Sequence, residues 1–204
     1  MTNTTQRPLI ALDADGVLLD YLEGYAEAWR DAFGTRPTVR DPLGYGPLDR
    51  WEVPLLDDRE RTRFRRHFGT KFWSSLRAIP GAVDACTRLH DAGFELVCVS
   101  ALDTEFEASR LQNLRALGYP IERVYATPHD GRYRSPKADK LAELCPTAFV
   151  DDYLPYLRGV QSDVHTALIT RGATSGPNTG PEMALAKSTH LDLARFADFW
   201  LQRN

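Results

Sequence analysis

Leu9-Ile10-Ala11-Leu12 runs without a break into Asp13-Ala14-Asp15-Gly16-Val17-Leu18, and this stretch limits the possible folds more sharply than any other. A short apolar run bounded by a turn signal reads as a strand covered on both faces, the kind found in parallel sheets. Such sheets bind ligands at the carboxyl ends of their strands, which is where Asp13 and Asp15 fall. Residues two apart on an extended chain point the same way, so both carboxylates face one small volume. Like charges that close cost free energy unless a cation or a proton intervenes. A divalent metal is the economical explanation. The plainer alternative makes one aspartate the cap of a helix beginning near Val17 and the other a turn residue.

Downstream, Leu22, Tyr25, Ala26, Trp29 and Phe33 recur at helical spacing, and Gly34 stands where a helix ends. Thr35 to Pro54 is broken by Pro37, Pro42, Gly44, Gly46, Pro47 and Pro54 into irregular chain that carries Tyr45 and Trp51. Asp57 to Phe68 and Lys71 to Leu76 add shorter helical segments, so residues 20–78 read as a small helical cap inserted over the aspartate edge. Ile79-Pro80-Gly81-Ala82 opens the next helix, closed by Ala92-Gly93. Beyond it, Phe94 to Val99, Arg123 to Ala126, Thr147 to Val150 and Thr166 to Thr170 read as strands, with helices over 105–117, 138–145 and 191–201 between and after them. Residues 127–136 and 172–181 read as loops, the second a flexible one at the surface. The alternation predicts an α/β fold, a Rossmann-like parallel sheet with helices on both faces, formed by residues 1–19 and 79–204.

The 204 residues, 43% hydrophobic and 26% charged with a net charge of -3, suffice for a core domain with a small insertion and lack a nucleic-acid binder's basic footprint. No stretch approaches the roughly 20 apolar residues that span a bilayer, and Met1 to Arg7 lacks the apolar centre of a signal peptide. A cytoplasmic protein with no membrane partner is the expectation. Cys86, Cys98 and Cys145 have no metal-ligand spacing and read as buried thiols, and the five histidines show no such spacing either. Tyr21, Tyr25, Trp29, Tyr45 and Trp51 either stack a flat leaving group or form the insertion's own core, and packing is the simpler reading. Arg59, Arg61, Arg63, Arg65 and Arg66 either bind a second phosphate or make a solvated helix face, and the latter is the simpler.

Three strand ends carry groups suited to chemistry: Asp13 with Asp15, Ser100, and Asp151 with Asp152. Parallel strands gather their carboxyl ends on one edge, so these groups converge without further assumptions. In chain order the motifs are Asp13-Ala14-Asp15-Gly16-Val17, Val97-Cys98-Val99-Ser100, a lysine near the start of a later helix, and Phe149-Val150-Asp151-Asp152. Lys137 and Lys140 both qualify as the lysine; Lys137 is favoured because a residue just before the helix reaches across the strand edge more freely. With Ile79-Pro80-Gly81-Ala82 marking re-entry from an insertion, the chain resembles the haloacid dehalogenase superfamily of phosphatases over nearly its whole length.

The resemblance implies a magnesium-dependent phosphomonoester hydrolase acting on a small phosphorylated metabolite, a nucleotide among the options. It makes Asp13 a nucleophile and metal ligand that forms an aspartyl-phosphate, and Asp15 the acid and base, with its main-chain carbonyl on the metal. Ser100, the backbone N–H of Ala101 and Lys137 would bind the phosphoryl group. Asp152 would be the third metal contact, with Asp151 a further ligand or an acceptor behind it. Dehalogenating members lack the second aspartate, so Asp15 speaks for phosphoryl rather than carbon chemistry. The chain departs from many members where a further acid would follow Asp152, and carries Tyr153-Leu154-Pro155-Tyr156-Leu157 there instead. Its paired acids and Phe72-Trp73 resemble the deoxyribonucleotide-monophosphatase branch. A phosphomutase of the same superfamily and a catalytically weak phosphate-binding module are the alternatives.

Overall fold

In the computed structural model, which describes residues 7–129, 133–173 and 176–203, β1 (Leu9–Leu12) sits between two parallel neighbours, β2 (Glu95–Ser100) and β4 (Ala148–Asp151). β3 (Val124–Ala126), β5 (His165–Ile169) and β6 (Ser188–His190) extend it to a six-stranded parallel sheet in the order β3-β2-β1-β4-β5-β6. The central place of β1 explains its unbroken apolar run, since it is covered on both faces and paired on both edges. Side chains alternate between two cores. Ile10, Leu12, Cys98, Val150 and Ile169 pack against α5 (Ala82–Asp91), α6 (Glu107–Ala116) and α8 (Leu193–Leu201), through Cys86, Leu89, Leu114 and Phe196 among others. Ala11, Val97, Val99, Phe149 and Leu168 face the other way, onto Leu141 of α7 (Ala138–Leu144) and Leu154 and Leu157 of a 3-10 turn.

Four helices, α1 (Tyr21–Phe33), α2 (Pro47–Arg50), α3 (Asp58–Arg65) and α4 (Thr70–Trp73), stand between β1 and α5. The chain leaves for them and returns through adjacent segments. Asp20 N–H donates to Arg77 O (2.9 Å) and Ile79 N–H to Leu18 O (2.9 Å), so exit and re-entry are tied side by side. Asp20 also caps α1, accepting from Glu23 N–H at 3.0 Å. The helix therefore starts at Tyr21, and neither Asp13 nor Asp15 caps it. Within the insertion Tyr21, Tyr25, Trp29, Phe33, Phe64, Phe68, Phe72 and Trp73 interlock as one aromatic cluster. Trp51 is buried and donates its indole N–H to Leu22 O at 3.1 Å. Edge-to-face and offset rings stabilise such a small core beyond their area alone.

One expectation needs correction, and one strand lacks a sequence signal. The strand without a signal is β6, whose polar Ser188-Thr189-His190 has no apolar run, because an edge strand with one neighbour is only half covered. Cys145 is exposed, not buried: it stands at the C-cap of α7 in the left-handed conformation, φ 47°, after the helix's last turn. Cys86 and Cys98 are buried, and burial pushes the Cys98 thiol up to about 12. Residues 1–6 and parts of the loops 127–136 and 172–181 lie outside the described residues. No helix among the described residues is long and apolar enough to cross a membrane.

Candidate active site

At the end of β1 the chain turns so tightly that Leu18 and Leu19 N–H both donate to Ala14 O, each at 2.8 Å. Asp13 N–H still donates to Val150 O at 2.8 Å, so its side chain starts from the sheet edge itself. Gly16 makes the turn with φ +87°, and a Cβ there would stand 2.2 Å from Asp152 Oδ2. Only glycine leaves that space open. Across the edge, Ser100 is buried at the end of β2, its carbonyl accepting from Thr127 N–H at 2.9 Å.

Lys137, fully buried at the N-cap of α7, reaches the strand edge and donates to Asp13 Oδ1 at 2.5 Å and Asp151 Oδ2 at 2.6 Å. Burial pulls the ammonium's pKa down, but the charges of Asp13 and Asp151 more than reverse this and hold it above its ordinary value. The lysine is a fixed cation. Lys140 lies on the outside of α7 and pairs with Glu143. Asp151 also accepts from Tyr153 N–H at 2.8 Å, so both of its oxygens are occupied.

Asp13, Asp15, Ser100, Ala101 and Asp152 line a cavity of about 280 Å³ together with Gly16, Tyr21, Leu22, Tyr45, Gly46, Pro47, Tyr153, Tyr156 and Arg171. Asp151 and Lys137 lie behind its wall. Every site residue read from the sequence thus belongs to one locus, five on the cavity and two beneath it. Two further cations were not foreseen. Arg110 donates through Nη2 to Asp15 Oδ2 at 2.8 Å, and Arg171 Nε lies 3.0 Å from Asp152 Oδ2. Arg171 also donates to Tyr45 O at 2.9 Å and lies 4.4 Å from the centre of that ring. The Tyr45 hydroxyl and the Asn178 amide donate to Asp152 O at 3.0 and 2.7 Å. Burial raises the pKa of Asp15 and Asp152 above the usual carboxylate range, against the pull of Arg110 and Arg171 respectively.

The sequence did carry signals for both arginines. On α6 the buried face reads Ser109, Arg110, Asn113 and Leu114, a charge where helical period calls for a core residue. Arg171 follows the carboxyl end of β5 by two residues, the same kind of position that marked Asp13 and Ser100. The aromatic residues divide: Tyr25, Trp29 and Trp51 are packing, while Tyr21 and Tyr45 also wall the cavity. The arginines of α3 lie on an exposed helix, and among the described residues no histidine lines the cavity.

Carboxylate oxygens of Asp13, Asp151 and Asp152 lie within 4.8 Å of one another. Four aspartates and three cationic side chains meet at this edge. Hard oxygen donors gathered at one place and the space kept clear by Gly16 fit a small divalent cation such as magnesium.

No family model matches the chain, and no curated protein matches it. Solved structures do. A predicted phosphoglycolate phosphatase from Haemophilus somnus 129pt superposes with a TM-score of 0.63 at 16% identity, over 97% of this chain and 99% of that one. L-2-haloacid dehalogenase from Xanthobacter autotrophicus, with chloropropionic acid covalently bound, gives 0.60 at 12% identity over 98% and 100%. D,D-heptose 1,7-bisphosphate phosphatase from B. bronchiseptica, complexed with magnesium and phosphate, gives 0.51 at 19% identity over 97% and 99%. The fold is haloacid dehalogenase-like.

Proposed function

We propose that the chain is a magnesium-dependent phosphomonoester hydrolase acting on a small phosphorylated metabolite. The observation that carries this reading is Asp13 tethered to a buried lysine at the same cavity that Asp15 and Ser100 line. Asp13 and Asp152, with the main-chain carbonyl of Asp15, would hold the ion, which supplies charge neutralisation at the phosphoryl oxygens. Asp151 orients Lys137.

In the first half-reaction an Asp13 oxygen attacks phosphorus, the bond from phosphorus to the ester oxygen breaks, and protonated Asp15 gives its proton to that oxygen as the alcohol leaves. In the second, Asp15, now a carboxylate, takes a proton from the water that attacks the aspartyl-phosphate. The bond from phosphorus to Asp13 breaks, inorganic phosphate departs, and both aspartates return to their starting states. A raised pKa, caused by burial, suits Asp15 to the first of these tasks. Ser100 and the Ala101 N–H would hold phosphoryl oxygens, and Lys137 would offset their charge. Residues 20–78 act as the cap that shields the cavity from water, contributing Tyr21 and Tyr45 to its wall.

Asp13→Asn tests the reading. It keeps the volume of the side chain, removes the nucleophile, and should abolish hydrolysis of 4-nitrophenyl phosphate in magnesium while the circular dichroism spectrum stays native. Undiminished turnover would sink it.

A further inference from the structure

Arg110 is a poor structural choice for its position. Its side chain is fully buried, yet only Nη2 has a hydrogen-bond partner, Asp15 Oδ2 at 2.8 Å, while Nε and Nη1 are buried with none. A buried guanidinium with two orphaned donors is unfavourable, and an apolar residue of the same volume would pack there more stably. It does not touch the cavity. Asp15 does, so the arginine stands behind the carboxylate rather than beside a substrate.

What fixes Arg110 comes from the insertion. The guanidinium carbon lies 4.9 Å from the centre of the Trp73 ring, and the Trp73 indole is itself anchored by donating to Phe68 O at 2.9 Å. A turn further along α6, Asn113 donates to Leu76 O at 3.0 Å, binding the same helix to the chain that leaves α4. Arg110 is thus held from the insertion and holds Asp15 in turn.

We propose that Arg110 is a positioning residue for Asp15, keeping the acid–base carboxylate in one orientation at the cavity wall, with Trp73 as the platform that orients Arg110. This rests on the reading of Asp15 as the proton donor to the leaving oxygen. A misplaced donor hurts most where the leaving group needs its proton, so the consequence is selective. Poor leaving groups suffer and good ones are spared.

The test compares kcat/KM for phenyl phosphate, a poor leaving group, and 4-nitrophenyl phosphate, a good one, at saturating magnesium. For Arg110→Met the phenyl ester should lose about 100-fold and the nitrophenyl ester less than about 10-fold, with KM nearly unchanged. Arg110→Lys should recover part of the loss on the phenyl ester alone. In a double-mutant cycle Asp15→Asn with Arg110→Met should be no slower on phenyl phosphate than Asp15→Asn by itself. Trp73→Leu, which leaves both charged groups in place, should give the same selectivity at smaller size and keeps the test alive if Arg110→Met does not fold. Equal losses on the two esters, or losses that multiply in the double variant, overturn the inference and leave the phosphatase reading standing. A wild-type protein that hydrolyses neither ester with magnesium overturns both.

Discussion

Lys137 and the two arginines all neutralise aspartates at one sheet edge, but they are secured from opposite sides. Lys137 belongs wholly to the sheet and its helices: it bridges Asp13 and Asp151, and the rings nearest its Nζ are Tyr156 at 4.8 Å and Phe149 at 5.6 Å. Arg110 and Arg171 each pair with a single carboxylate and each lie against an aromatic ring of the insertion, Trp73 and Tyr45 respectively. The difference separates two tasks. The cation that holds two aspartates is built into the sheet and its helices, while the two that hold one aspartate each are tied to the insertion, whose Tyr21 and Tyr45 line the cavity.

The largest effect should come from the sheet-borne cation. Lys137→Met leaves Asp13 and Asp151 facing each other with no counter-charge in a buried place. Removing one partner of a buried ion pair costs about 3–5 kcal/mol, to be read from urea unfolding in the absence of magnesium. Activity should fall by roughly 1,000-fold or more, since Lys137 holds Asp13, the proposed nucleophile. A variant that unfolds like the wild type would mean the two carboxylates share a proton instead of needing the lysine.

Arg171 gives a smaller effect of opposite sign. Its guanidinium lies 3.0 Å from Asp152 Oδ2, the oxygen next to the space that Gly16 leaves clear, so it would compete with a cation bound there. Arg171→Met should bind magnesium more tightly by roughly fivefold, about 1 kcal/mol, the Coulomb energy of one unit pair in a hydrated site. Titration calorimetry of the substrate-free protein measures it. Because Arg171 also donates to Tyr45 O, the same variant should make residues 35–54 more open to proteolysis. Weaker magnesium binding would show that the arginine organises the aspartate and does not compete for it.

The same contrast explains what could be read from the sequence. A strand end is announced by an apolar run that stops, so Asp13, Asp15, Ser100, Asp151 and Asp152 were legible from the chain alone, and parallel pairing brings them together. Lys137 was one of two candidates, just before the helix and within its first turn; the structure has Lys137 at the N-cap of α7 with its Nζ on the strand edge, and Lys140 on the outer face. Arg110 and Arg171 were missed because each depends on a contact across more than 90 positions of sequence, to Asp15 and to Tyr45. The aromatic residues of the insertion were legible as a set but not individually, since helical spacing gives the buried face and not which member of it, Tyr21 here, also meets the cavity. β6 escaped because an exposed edge strand has no apolar signature.

The smallest effect lies at that edge, far from the aspartates, and asks whether the sheet can weaken without disturbing its site. His165 Nε2 and His190 Nε2 both engage the Ser188 hydroxyl, at 2.8 and 2.9 Å. Burial, with Arg203 and Lys187 nearby, lowers the pKa of His165 from 6.5 to about 4, so the folded protein keeps this imidazole neutral where the unfolded chain would protonate it. Below pH 6.5 the unfolded state binds the extra proton, and stability falls as the pH drops toward 4. The contribution is fully present above that window. The urea midpoint of the wild type should therefore decline between pH 7 and pH 4.5, and His165→Gln, which keeps a hydrogen-bonding group but does not titrate, should flatten part of that decline. At pH 7 the variant should hydrolyse 4-nitrophenyl phosphate at the wild-type rate, because β5 is held to β4 independently of the Ser188 contact. A drop in rate without loss of stability would mean that the edge strand positions Arg171, two residues beyond β5, and so belongs with the insertion-coupled groups rather than with the sheet.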